Sequence, residues 1–192
     1  METVLILDFG AQYSQLIARR VREQNVYCEV KPCSISPAEI EKIAPIGIIL
    51  SGGPQSVYES VSPHVDPALF ALGIPVLGIC YGCQLMAYSL GGTVAAATEA
   101  TAREYGKTLT EFDTDCSIFQ GLPASSVTWM SHGDYISQVP DGFAVTAKTA
   151  VCPTAAMACP EKKLYGVQFH PEVQHTVEGS EMLRRFLYTV CG

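Results

Sequence analysis

The sequence predicts an α/β fold: a mostly parallel central sheet flanked by helices, with an antiparallel or mixed edge from the second half. Three observations predict it. Short, continuously apolar runs such as Val4-Leu5-Ile6-Leu7 read as strands buried on both faces. Helical stretches alternate with these runs up to residue 90, the order that implies right-handed crossovers and parallel strands. From Tyr105 the texture changes to short strands split by Gly, Pro and Asp turns.

Each element has a local reason. Residues 4–7 form a strand that ends at Asp8-Phe9-Gly10. Residues 11–24 place Leu16, Ile17, Arg20 and Val21 at helical spacing, which predicts a covering helix. Residues 27–31 give a second strand, 37–43 a short helix, 46–50 a third strand and 76–79 a fourth. Residues 83–90 are good helix material stopped by Gly91-Gly92. Short strands are expected at 108–112, 126–130, 135–139, 143–147, 155–158 and 164–169. Residues 177–191 carry Met182, Leu183, Phe186, Leu187 and Val190 on one face and predict a closing amphipathic helix. With no internal repeat or long linker, residues 1–192 are expected to be one domain.

Composition narrows the function. The formal net charge of -7 argues against a nucleic-acid partner. No apolar run approaches the ~20 residues of a membrane span. Met1-Glu2-Thr3 has no basic region and no cleavage signal, so a cytoplasmic protein is expected. The eight cysteines sit mostly in apolar, strand-like contexts and read as reduced thiols.

The chemistry centres on Gly78-Ile79-Cys80-Tyr81-Gly82, where a strand turns sharply into a helix. This is a cysteine counterpart of the G-x-S-x-G nucleophile elbow. The helix N-terminus presents N–H groups and a positive dipole end to the sulfur, a setting that favours thiolate. Of the four histidines, His170 follows a strand-like run and precedes Pro171-Glu172. Residues i and i+2 of an extended segment face one side, so Glu172 can orient the His170 ring as the third member of a triad. Asp8, Ser51 and Cys80 all follow strand ends, where ligands gather in such sheets. The loop Ser51-Gly52-Gly53-Pro54-Gln55-Ser56 reads as an oxyanion hole, a glycine N–H paired with the Tyr81 N–H, or as a plain turn. A phosphate-cradling loop is disfavoured, because Pro54 has no N–H and no Asp-Ser pair follows. Cys80-Tyr81-Gly82-Cys83 is also a C-x-x-C at a helix start, but a redox pair would not need Gly78, His170 or Glu172. A zinc site lacks a second C-x-x-C, and no metal is expected.

At these residues the sequence resembles the class I glutamine amidotransferases, the triad glutaminases. The elbow followed by Gln84, the Ser51-to-Pro54 loop and Gly166-Val167-Gln168-Phe169-His170-Pro171-Glu172 mark that family. Ile6-Leu7-Asp8-Phe9-Gly10-Ala11-Gln12-Tyr13 and Trp129-Met130-Ser131-His132-Gly133-Asp134 look like its GMP synthetase branch. Cys83 departs from the usual Met, a swap expected to be neutral. The resemblance implies a flavodoxin-like amidotransferase fold that hydrolyses the L-glutamine side-chain amide. It implies Cys80, His170 and Glu172 as triad, and the N–H groups of Gly53 and Tyr81 as oxyanion hole. Gln84, Ser131 and His132 would hold the substrate's amino-acid end. The ammonia would pass to an ATP pyrophosphatase synthetase domain, absent from this chain, that acts on XMP. ATP and Mg are expected in that partner, and no cofactor in this domain. The Trp129-to-Asp134 stretch, read as one short turn, offers His132 and Asp134 as coupling residues toward the partner. Other readings are a glutaminase of another amidotransferase, a γ-glutamyl hydrolase, or a non-catalytic docking domain. An intact Cys80, His170 and Glu172 set counts against the last.

Overall fold

The computed structural model describes residues 1–10, 12–53, 56–97 and 103–192. Ala11 of the first expected helix, and Pro54 and Gln55 of the expected oxyanion loop, lie outside the described residues. The first half runs β1 (Thr3–Asp8), α1 (Ser14–Glu23), β2 (Tyr27–Pro32), α2 (Pro37–Ile43), β3 (Gly47–Leu50), β4 (Val76–Ile79) and α3 (Tyr81–Ser89), in the expected order. The second half runs β5 (Thr93–Ala96), β6 (Glu104–Phe112), β7 (Ser125–His132), β8 (Asp134–Gln138), β9 (Ala144–Lys148), β10 (Ala156–Cys159), β11 (Leu164–Val167) and α4 (Gly179–Arg185).

Among the described residues, nine strands form one sheet in the order β2-β1-β3-β4-β11-β10-β9-β6-β7. The contacts among β2, β1, β3, β4 and β11 are parallel. Those from β11 through β10, β9 and β6 to β7 are antiparallel. This is the expected parallel sheet with an antiparallel edge. One strand departs from the expectation: β11, grouped by sequence with the second-half strands, pairs in parallel with β4. All four of its residues are buried, as a central strand's must be. Gly166 is needed there, because a Cβ at that position would lie 2.6 Å from Cys83 Sγ.

Alternate residues of β1 feed two cores. Val4 and Ile6 join Ile17 and Val21 of α1 and Met182 and Leu183 of α4 on one face. Leu5 and Leu7 join Ile40 of α2 and Leu85 and Met86 of α3 on the other. The sheet is thus covered on both sides, as parallel pairing requires.

Four details correct the sequence reading. β5, which pairs with β8 in a two-stranded ribbon, is not among the expected strands. Strand β11 stops at Val167 rather than 169, and the chain bends before His170. The closing helix begins at Gly179, which packs against the Pro171 carbonyl too closely to admit a Cβ. It passes into a π-helical turn at Phe186–Val190. Finally, Trp129-to-Asp134 is not one short turn. Trp129 to His132 belong to β7, paired with β6, and Asp134 opens β8, paired with β5, so the chain bends at Gly133 and passes from the large sheet to the ribbon.

Candidate active site

Cys80 is the residue between β4 and α3, with φ 51° and ψ -106°. A positive φ is strained for a residue carrying a Cβ, and such strain persists only where neighbours enforce it. Two glycines do so. A Cβ on Gly78 would meet Gly82 O at 2.6 Å, and one on Gly82 would meet Leu50 Cβ at 2.6 Å. Cys80 N donates to Val167 O (2.8 Å) and Gly82 N to Ser51 O (3.1 Å), tying the elbow to β11 and to the end of β3.

The register of β11 on β4, Gly166 opposite Gly78 and Val167 opposite Ile79, brings the next residues of both strands to one edge. His170 therefore arrives beside Cys80, and the two line a common cleft of about 280 Å3 with Tyr13 and Gly52. His170 Nδ1 lies 2.6 Å from Glu172 Oε1, and both side chains are buried. The reach expected from i, i+2 spacing is made across a bend and turn rather than a strand. Burial alone disfavours the imidazolium. The hydrogen bonds of the ring to Cys80 and Glu172, with their negative charges, outweigh it and raise His170 to about 11.

Residues that carry no local sequence signal hold this turn. His170 N donates to Trp129 O (3.0 Å). Thr176 Oγ1 accepts from Trp129 N (2.9 Å) and donates to His170 O (2.6 Å). Arg20 Nε donates to Glu172 O (2.8 Å) from α1, 152 positions away. In the sequence Arg20 is only one position of a helical pattern.

A second cleft of about 320 Å3 opens on the other side of Cys80. Gly53, Tyr81, Gln84, Ser131, His132 and Asp134 all line it, so these residues, Cys80 and His170 border two adjoining clefts, while Glu172 stands behind His170 and neither Asp8 nor Ser51 lines them. Tyr81 is the first residue of α3, where a backbone N–H has no intrahelical acceptor. Gly53 packs on the Tyr81 ring, 3.0 Å from where its Cβ would be. Ser131 O accepts from Cys80 Sγ at 3.7 Å. Gln84 Nε2 is committed to Asp134 O (3.1 Å) and Gln168 Oε1 (3.0 Å), so what Gln84 offers a ligand is its acceptor oxygen. The Asp134 carboxylate accepts from Ser56 Oγ and from Tyr58 OH (3.1 Å), tying the start of β8 to the loop beyond Gly53.

Among the described residues, Glu104, His132 and Cys152 form the one cluster compact enough to hold a metal ion, their ligand atoms within 4.8 Å of one another. Its donors are already engaged. His132 Nε2 meets Glu104 Oε1 (3.0 Å) and its Nδ1 meets Asp134 O (2.8 Å). Glu104 Oε2 accepts from Thr149 Oγ1 (2.8 Å), and Cys152 Sγ donates to Thr154 O (3.3 Å). Burial, then the Glu104 charge, pushes the Cys152 thiol up to about 12. The cluster acts as a buried brace that fixes the bend between β7 and β8. Cys83 is fully buried, and burial, then the nearby Cys80, raises its thiol well above the usual range, which suits a packing residue rather than a redox partner.

The fold and this site define a class. The chain matches the family model "Glutamine amidotransferase class-I" over residues 5–190, and it belongs to that family. Curated relatives named GMP synthase (glutamine-hydrolyzing) include one from Clostridium botulinum (strain Alaska E43 / Type E3), 56% identical over 100% of this chain and 37% of the relative. Another, from Caldanaerobacter subterraneus subsp. tengcongensis, is 58% identical over 99% of this chain and 36% of the relative. The chain thus spans little more than a third of the relatives' length. A crystal structure from Thermoplasma acidophilum, assigned to one of the subunits of a GMP synthase, is similar with TM-score 0.85 and 31% identity, covering 100% of this chain and 94% of that one. A Thermotoga maritima glutamine amidotransferase shares the fold with TM-score 0.78 at 21% identity, covering 99% and 98% of the two chains. No helix among the described residues is long and apolar enough to cross a membrane.

Proposed function

We propose that this chain hydrolyses the side-chain amide of L-glutamine through a Cys80 thioester and supplies the ammonia to a synthetase domain or subunit that aminates XMP to GMP. The observation that carries the reading is the β11–β4 register, with Cys80 and the paired His170 and Glu172 at one sheet edge.

The steps follow from the groups at hand. The Cys80 thiolate attacks the amide carbon, and the carbonyl oxygen becomes an oxyanion. The N–H groups of Gly53 and Tyr81 receive it, each such donor being worth roughly 10²–10³ in rate. The His170 imidazolium gives its proton to the amide nitrogen, the C–N bond breaks and ammonia leaves, with a γ-glutamyl thioester remaining. His170, now neutral, takes a proton from water, whose oxygen attacks the thioester. The sulfur leaves as thiolate and glutamate is released. Glu172 holds the ring and stabilises its charged form. The larger cleft takes the amino-acid end, with the Gln84 oxygen and the backbone of Ser131 and His132 as contacts.

The name of the relatives, GMP synthase (glutamine-hydrolyzing), and their further length support a synthetase partner, and the proposal places ATP and Mg in that partner. The test is ammonia release from glutamine by the chain and by Cys80→Ala and Cys83→Ala, with and without a synthetase domain supplied with ATP, Mg and XMP. Release that is lost in Cys80→Ala, kept in Cys83→Ala and raised by the partner is expected. Equal loss in both variants would defeat the assignment of the nucleophile. Faster cleavage of γ-glutamyl peptides than of glutamine would defeat the substrate.

A further inference from the structure

We propose that Gln168 is a catalytic residue whose side-chain amide donates an N–H to the Cys80 sulfur, in an orientation dictated by Gln84 and the Asp134 carbonyl. The inference rests on the reading of Cys80 as nucleophile. A side-chain amide can be turned end for end, so its direction must come from a neighbour that cannot turn. That neighbour is the backbone carbonyl of Asp134, which only accepts. Gln84 Nε2 lies 3.1 Å from it, so the Gln84 NH2 group faces Asp134. The same nitrogen lies 3.0 Å from the Gln168 amide, whose facing atom must therefore be the oxygen, Oε1. The Gln168 NH2 group is thereby turned the other way, where it stands 3.5 Å from Cys80 Sγ. One carbonyl sets, through two amides, a donor on the sulfur.

The surroundings make that donor count. Gln168 is 0% exposed, Gln84 4% and Cys80 7%, so little solvent competes with the contact and its electrostatic strength is high. The Gln168 backbone is fixed as well, its N–H donating to Ala155 O (2.8 Å). A hydrogen bond to the charged form of an acid favours that form. The amide keeps its protons throughout, unlike His170. It supports the thiolate before attack and again when the sulfur leaves the thioester, and its hold slackens in between, when the sulfur carries no charge. A glutamine present only to satisfy Gln84 would leave the reactivity of the sulfur untouched.

The test is alkylation of Cys80 by iodoacetamide, followed by peptide mass mapping from about pH 6 to about pH 10. The proteins are the wild-type chain, Gln168→Met, Gln168→Glu and Gln84→Met, each checked by thermal melting. Gln168→Met keeps the length and loses the donor, so the rate should fall by up to about tenfold, most at the acid end of the range. The deficit should close at about pH 10, where unassisted thiols are also ionised. Gln168→Glu should fall further, because it sets a like charge beside the sulfur. Gln84→Met should show a smaller loss, since it frees the Gln168 amide to turn. A folded Gln168→Met with the wild-type profile would overturn the inference. If that variant does not fold, an unchanged profile in Gln84→Met overturns it instead. If wild-type Cys80 reacts no faster than the half-buried Cys33, the nucleophile reading fails rather than the role of Gln168.

Discussion

Replacing Gly78 with alanine should damage both stability and catalysis, by amounts that follow from three distances. The added Cβ would stand 2.6 Å from Gly82 O, 2.7 Å from Gly82 C and 2.8 Å from Cys83 N. All three are backbone atoms of the first turn of α3, so no side chain can swing aside. The strand or the helix must move by more than half an ångström. Overpacking of that kind costs about 1–3 kcal/mol, and the upper end applies where only backbone is met. The alanine returns roughly 0.4–1 kcal/mol by stiffening the unfolded chain. The net loss of about 2 kcal/mol lowers the melting temperature of a chain this size by about 4–8 °C. The moving parts carry Cys80 and the Tyr81 N–H, and a misplacement near 1 Å costs on the order of 10² in rate. Gly91→Ala is the control. Its φ of 94° makes alanine strained, yet no atom lies within 4 Å of the new Cβ and the residue is remote from Cys80. Melting and glutamine turnover are measured on both variants. A Gly78→Ala protein that melts like Gly91→Ala and turns over like wild type would refute the close-approach argument.

Three further predictions concern the triad and the β7–β8 bend. His170→Ala should lose orders of magnitude in turnover and Glu172→Ala less, and the double variant should be little worse than His170→Ala because triad members act as a unit; fully additive losses would separate Glu172 from His170. His170 is raised from 6.5 to about 11, so the stability it lends is fully present below about pH 6.5 and is lost as pH rises toward 11. The melting-temperature gap between wild type and Glu172→Ala should therefore narrow over that window, and a gap that widens would contradict the cause assigned to the shift. Asp134→Ala releases Ser56 and Tyr58, so stimulation of turnover by a synthetase domain with ATP and XMP should weaken; stimulation at wild-type strength there and in His132→Ala would remove this bend from the coupling.

The strands and helices of the first half are legible because each is announced locally, by an apolar run, by helical spacing or by the Gly91-Gly92 stop. The short helix at Pro37–Ile43 is in addition capped by Ser36, whose side chain accepts from Glu39 N. The motif residues are legible for the same reason, since Cys80 and its glycines are contiguous and Glu172 is two positions from His170. What the sequence hides is non-local. Nothing in Leu164-Tyr165-Gly166-Val167 says that it pairs with β4, because parallel pairing leaves no turn signal between partners. β5 is half-exposed and short, so its alternation is too weak to read. The Trp129-to-Asp134 stretch reads locally as a turn because Ser131, Gly133 and Asp134 are turn formers. Pairing with β6 and the Glu104–His132 contact override that local preference.

The site is assembled mainly by backbone, and that divides its substitutions into two kinds. Cys80 N binds Val167 O, Gly82 N binds Ser51 O, and His170 N binds Trp129 O, so β11, β3 and β7 are each tied to a catalytic segment without a side chain. Among the described residues, Arg20 and Thr176 add side-chain hydrogen bonds to the His170–Glu172 turn. Geometry therefore resides in the sheet register and in the glycines that permit it: Gly78 and Gly82 under the elbow, Gly166 under Cys83, Gly179 against Pro171. Changes there should lower stability and turnover together, because the same displacement unpacks the core and misaligns the sulfur. Cys80 resides in that frame with few packing duties of its own, so its removal should abolish turnover while the melting temperature stays close to wild type; removal of His170 should abolish turnover and also lower the melting temperature, because it leaves Glu172 buried without its partner. Gln84 and Gln168 stand between the two kinds. Their backbones belong to the frame, but the direction of their amides is chemistry, set by one carbonyl on the far wall of the cleft. A shift of Asp134 would reach the sulfur through those amides with no change in the elbow itself. That gives the β7–β8 bend a physical route to Cys80.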